Sequence, residues 1–212
     1  MVKNARARRY LLRLRPDGAV RVTIPPGGTI SAGRDFALRN TSWLEKQFQF
    51  LGQLPPIPSV WVVGTWLLFR GEQVCIEPND DGSIRFGTER VRVFDQAANL
   101  RPAIQKHLHR LALQELPVRV AVLAAHHRVT VCRVLVRNQK SRWGSCSGQG
   151  IISLNWRLVQ APDFVRDYII VHELAHRRQM NHSRKFWQEV ARMCPDYRLA
   201  ETWLKQHAWR LA

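Results

Sequence analysis

Between residues 163 and 179 the apolar side chains Phe164, Tyr168, Val171 and Ala175 return at spacings of three and four, which predicts a helix with one buried face. Pro162 in its first turn and the acids Asp163 and Asp167 suit the positive end of the helix dipole. Earlier in the chain the period is shorter. Val20, Val22 and Ile24 alternate with polar positions and follow Tyr10-Leu11-Leu12 across Pro16-Asp17-Gly18, which predicts a hairpin. A helix is expected over about 32–50, and Leu54-Pro55-Pro56-Ile57-Pro58 closes that stretch. Short runs of Val, Ile, Trp and Phe from Val60 to Phe94, broken at Gly71-Glu72 and Asn79-Asp80-Asp81-Gly82, predict a β-meander. A second helix is expected over about 99–115. Extended segments follow at 129–136, 143–150 and 151–158, the last two forming a hairpin around Ser147-Gly148-Gln149-Gly150 that leads into the 163–179 helix.

This succession is α+β, with a β-rich N-terminal part over 1–96 carrying one helix and a second domain over 97–212. A chain of 212 residues with 45% hydrophobic content can bury a sizeable core without disulfides. Cys75, Cys132, Cys146 and Cys194 lie far apart with no Cys-x-x-Cys pair, the usage of reduced thiols in a cytoplasmic protein. The start has no apolar signal region, and its alternating strand pattern argues against an Arg-rich presequence. The apolar run from Val60 to Phe69 falls far short of the ~20 residues a membrane helix needs. Lys and Arg number 33 against 16 acidic residues, a net charge of +17. Such a field attracts polyanions, so an anionic substrate or a nucleic-acid partner is expected beside the plainer reading of solubility.

His172-Glu173-Leu174-Ala175-His176 is the motif that carries chemistry. Two histidines four apart on a helix lie one turn above each other on one face, so both imidazoles reach one cation. Zinc takes neutral imidazole nitrogens in a tetrahedral shell and keeps a position for water in catalytic sites; Glu173, next to the first ligand, is placed to accept that water's proton. One zinc per chain is expected. His182 is the best third ligand, provided that Met180-Asn181 stops the helix and Ser183 begins another bearing Phe186, Trp187 and Val190. The six-residue spacing matches H-E-x-x-H-x-x-G-x-x-H enzymes, but Gln179 stands where those have glycine. Glu189 and Glu201 are rival third ligands, and Cys146 a candidate fourth that would silence the site. His107, His109, His126 and His127 have no spacing tied to the motif and read as ordinary surface or helix-end residues.

Ser141-Arg142-Trp143-Gly144-Ser145-Cys146-Ser147, Ile152-Ser153-Leu154-Asn155-Trp156-Arg157-Leu158, the H-E-L-A-H run with Asn181-His182-Ser183 and Phe186-Trp187, and Cys194-Pro195-Asp196-Tyr197 together resemble the YgjP-like metallopeptidases, relatives of the SprT and WLM zinc peptidases. The resemblance is dense from 136 to 204 and looser before. It implies a zincin-like fold, a mixed or antiparallel sheet packed on the H-E-x-x-H helix, with His172, His176 and His182 at the metal positions and Glu173 at the catalytic one.

An extended peptide could pair along the 142–158 hairpin, with Gly144 permitting close approach. Arg142, Trp143, Gly144, Ser145 and Tyr197 are the candidate substrate-binding residues, and Arg142, Tyr168 and Tyr197 the candidate partners for an oxyanion. Trp143, Trp156 and Cys146 read equally well as core residues. Three functions compete: a zinc metallopeptidase, a metal-dependent hydrolase of an anionic substrate such as a nucleotide, and a nucleic-acid-associated protease or binding protein.

Overall fold

The computed structural model describes residues 1–14, 18–53 and 58–211. The chain forms two compact units, Met1–Ile57 and Pro58–Ala212.

In the first unit β1 (Val2–Lys3), β2 (Leu11–Leu14) and β3 (Val20–Ile24) make a sheet of order β1-β3-β2, with β2 antiparallel to β3 in the register Leu14 opposite Val20. The expected hairpin is present, although Pro16 and Asp17 of its turn lie outside the described residues. Two helices follow, not one: α1 (Ile30–Leu38) and α2 (Thr41–Gln53). Thr29 caps the first, its hydroxyl accepting from Ala32 N–H at 3.1 Å, and the chain breaks at Arg39-Asn40 before helix resumes.

In the second unit β4 (Trp66–Phe69) pairs with β5 (Glu72–Cys75), and β6 (Glu77–Pro78), β7 (Ser83–Phe86) and β8 (Glu89–Arg92) form an antiparallel sheet of three. These strands share one core with everything that follows. Ile76, Ile84 and Phe86 are fully buried in the same cluster as Leu100, Ile104, Leu158 and Ile170. A division after residue 96 therefore cuts through a core, and residues 58–96 belong with the second unit.

Helix α3 (Arg101–His126) runs well beyond the expected end near residue 115. Pro117 lies inside it, where a missing N–H and a ring clash normally break a helix. Burial overrides that cost: Ile104, Leu108, Ala112, Leu116, Val120 and Ala124 succeed one another every four residues along one buried stripe. β9 (Arg133–Arg137), β10 (Gly144–Cys146) and β11 (Ile151–Asn155) form a mixed sheet of order β10-β11-β9, so β10 is an edge strand, antiparallel to β11. A 3₁₀ turn (Trp156–Gln160) leads into α4 (Asp163–Ala175), and α5 (Arg184–Met193) and α6 (Tyr197–His207) pack on it. The whole is mixed α+β. Among the described residues no helix is long and apolar enough to cross a membrane.

Candidate metal centre

Helix α4 is nearly all buried: Ile169, Ile170, Val171, Leu174 and Ala175 all lie in the core. That burial fixes the rotation of the helix and presents His172 and His176 on one side, their rings 5.2 Å apart. The helix ends at Ala175 with His176 as its C-cap, four residues before the expected end. Arg177 N–H and Arg178 N–H bond back to Leu174 and Ala175, and His176 Nδ1 donates to the Gln179 carbonyl at 3.1 Å. A carbonyl only accepts, so His176 carries its proton on Nδ1 and leaves Nε2 free. This early turn performs the reversal that glycine makes in the longer motif.

The reversal brings His182 back, its Nε2 3.0 Å from His172 Nε2. Ligand nitrogens of His172, His176 and His182 all lie within 4.8 Å of one another. Phe186, on the first turn of α5 and fully buried, sits among the three rings at centroid distances of 4.9, 4.5 and 4.7 Å. Burial, with the neighbouring imidazoles, pushes His172 down to about 4, and burial also lowers His176. Both are therefore neutral at pH 7, the form that offers a lone pair.

Glu173 is 6% exposed. Burial pushes its carboxyl up to about 8, against a smaller opposing pull from Arg142. Across from it lies β10: a Cβ added to Gly144 would stand 2.5 Å from Glu173 Oε1. The sequence leads one to expect that Gly144 leaves room for a substrate; in the structure the side chain standing against it is Glu173, the candidate general base. Arg142, Trp143, Gly144, Tyr168, His172, Glu173, Glu201 and Lys205 line one cleft of about 450 Å³.

The other candidates fall outside the imidazole cluster. Glu189 is held by Arg178 and by Arg192 at 2.8 Å. Glu201 accepts from the Tyr168 hydroxyl at 3.2 Å in the cleft wall. The Cys146 thiol donates to the Ser147 carbonyl at 3.4 Å and is pushed up by burial and by Glu173. Ser145 pairs with Ser153 in the β10–β11 ladder. Tyr197 stacks on Trp187 and Tyr168 at 5.7 and 6.3 Å. His107 is a correction: it is buried and bonded to Glu89 at 2.8 Å, not a surface residue. Sequence reading missed Phe186 as the backing of the rings, and missed Leu204 and Lys205 in the cleft, because α6 carries no motif of its own.

A model of the YgjP-like metallopeptidase domain matches residues 8–207. The chain belongs to the YgjP-like family. As a member of it, the protein carries a metal-dependent peptidase domain spanning both compact units. No curated protein matches the chain. Among solved structures, the metallopeptidase zymogen abylysin of Pyrococcus abyssi is similar over 43% of this chain and 93% of its own, at 21% identity and a TM-score of 0.39. The assignment of this YgjP-like protein rests on the family match.

Proposed function

We propose that the protein is a zinc peptidase of zincin type, in which His172, His176 and His182 hold the metal and Glu173 is the general base. The observation that carries the proposal is the convergence of three imidazoles within 4.8 Å beside a buried glutamate on the same helix. Their chemistry fits zinc. Two of the rings are held neutral by burial, and His172 Nε2 and His182 Nε2 face each other. Among the described residues His172 Nδ1 is buried with no hydrogen-bond partner, and the ring packs against Phe186 and Tyr168. Three imidazoles form an open catalytic donor set.

A bound zinc ion would polarise the scissile carbonyl and make a coordinated water acidic near neutral pH. The remaining steps belong to the chain. Glu173 Oε1 accepts the proton of the attacking water and later returns it to the leaving nitrogen. Glu173 would be ionised for the first transfer once a cation held by His172, His176 and His182 lowered its raised pKa. β10, a free sheet edge with Gly144 against Glu173, offers main-chain groups to an extended peptide, so that backbone pairing positions the bond beside the base. Tyr168, held by Glu201 and kept protonated by burial, is a hydrogen-bond donor in the cleft wall.

Arg142 and Lys205 in the same cleft favour one second reading, hydrolysis of an anionic substrate. The +17 charge supports a nucleic-acid association, which steep weakening of binding with salt would reveal. The deciding experiment measures metal content and chelator-sensitive hydrolysis of casein and of nucleoside triphosphates, for the wild type and His182→Ala. About one zinc per chain, lost in the variant together with casein hydrolysis, is expected. A metal-free wild type refutes the site, and turnover of triphosphates alone refutes the peptidase.

A further inference from the structure

A cavity of about 860 Å³ opens between β8 and the first half of α3. None of its wall residues belongs to the cleft beside Glu173. Its volume falls in the ~300–1,000 Å³ range of small-molecule sites, and like them it joins an apolar interior to a few polar groups. Val91 and Leu100 are buried in its floor, while Leu113 and the fully exposed ring of Phe94 stand at its mouth.

The charged groups of the wall are unequal. Arg90 is paired with Asp81 at 2.6 Å and bonded to Ser83. Asp95, the one acid in the wall, accepts from the Ala97 N–H at 2.8 Å. The side chains of Arg92 and Lys106 make no ion pair and no hydrogen bond among the described residues. Arg110 is held differently. Its Nη2 donates to His107 Nδ1 at 2.9 Å, and His107 Nε2 donates to Glu89 at 2.8 Å. A guanidinium only donates, so this chain also fixes the tautomer of a buried histidine. The relay Glu89–His107–Arg110 holds one cation rigidly at the wall, which removes the ordering cost of recruiting it for a ligand.

We propose that this cavity is a second binding site, for a small organic anion with an apolar body, whose acidic group pairs with Arg92, Lys106 and Arg110. The apolar interior excludes a bare inorganic ion as the natural ligand. Three available cations around one concavity suit a single anionic group; a polymer backbone calls for a longer track.

The test titrates the full-length protein with anilinonaphthalene sulfonate, an aromatic anion whose fluorescence rises in apolar sites. One saturable site per chain is expected. Arg92→Glu combined with Lys106→Glu weakens it by roughly tenfold, whereas Arg92→Lys with Lys106→Arg and His182→Ala leave it within twofold. Both charged positions are exposed, so the variants fold. Binding that survives the double reversal, disappears in His182→Ala, is displaced by equal concentrations of inorganic sulfate, or is absent in the wild type overturns the proposal.

Discussion

Replacing Glu173 by glutamine should stabilise the metal-free protein and cripple the zinc-loaded one. A carboxyl of pKa about 8 in the fold, against 4.5 unfolded, takes up a proton when the chain folds at neutral pH. The sign follows directly. A raised acid contributes nothing unfavourable below pH 4.5, where both states are protonated, and its cost grows as pH rises towards 8. At pH 7 the cost is about 3 kcal/mol if the full shift applies, and less than ~1 kcal/mol at pH 5. Glutamine mimics the protonated side chain in shape and carries no such penalty.

The assay is thermal and urea unfolding of chelator-treated wild type and Glu173→Gln across pH 4.5–8.5. For a unit of this size ~1 kcal/mol moves the midpoint by about 2–4 °C, so a gain of roughly 6–12 °C is expected at pH 7, vanishing near pH 4.5. His172 and the other titrating groups are common to both proteins and cancel. Added zinc shrinks the gain, since its charge lowers the wild-type carboxyl's pKa. A gain independent of pH, or a loss of stability at pH 8, refutes the claim that burial of the carboxyl dominates. Hydrolysis by the zinc-loaded variant falls by about 10²–10⁴-fold, the usual contribution of a positioned base.

Two further substitutions probe the supports of the site. Gly144→Ala drives a methyl group to 2.5 Å from Glu173 Oε1. Because small misplacements of a catalytic group are expensive, turnover should drop on the order of 10²-fold with zinc content unchanged; kcat within twofold of wild type would show that β10 does not position the base. Phe186→Ala removes a fully buried ring from among three imidazoles and should cost about 3–5 kcal/mol of stability. Zinc affinity, read by competition with a chelating dye, should weaken by roughly 10–100-fold; an unchanged affinity would make Phe186 a core residue only.

Much of the candidate metal centre is legible in the sequence because helix geometry is local. Four residues bring His172 over His176 whatever surrounds them, and the turn that returns His182 is announced by its position before Ser183, the N-cap residue of α5. Gly144 reads in the sequence as room for a peptide, with no sign that Glu173 packs against it. What escapes reading depends on long-range packing. The continuation of α3 past Pro117 follows from a buried stripe completed by distant strands. The joining of β4–β8 to the catalytic core is invisible to a composition shift at residue 96. His107 looks like a surface histidine until Glu89, eighteen residues earlier, is brought against it by β8.

The basic residues that follow the motif show how charge misleads when read without partners. Arg177, Arg178, Arg184 and Lys185 form a cluster in sequence that invites a phosphate. Yet Arg177 is spent on the carbonyls of Thr130 at 3.2 Å and Gly148 at 2.7 Å. Arg178 binds Glu189 and the His127 carbonyl, the latter at 2.7 Å. Together they tie the segment between His176 and His182 to the end of α3, the approach to β9 and the β10–β11 turn. Hydrogen bonds from charged donors are among the stronger ones. The turn that replaces glycine is therefore held from outside by two guanidinium groups, of which Arg178 is also ion-paired with Glu189. Arg142 and Lys205, by contrast, are the two cations that line the candidate cleft itself.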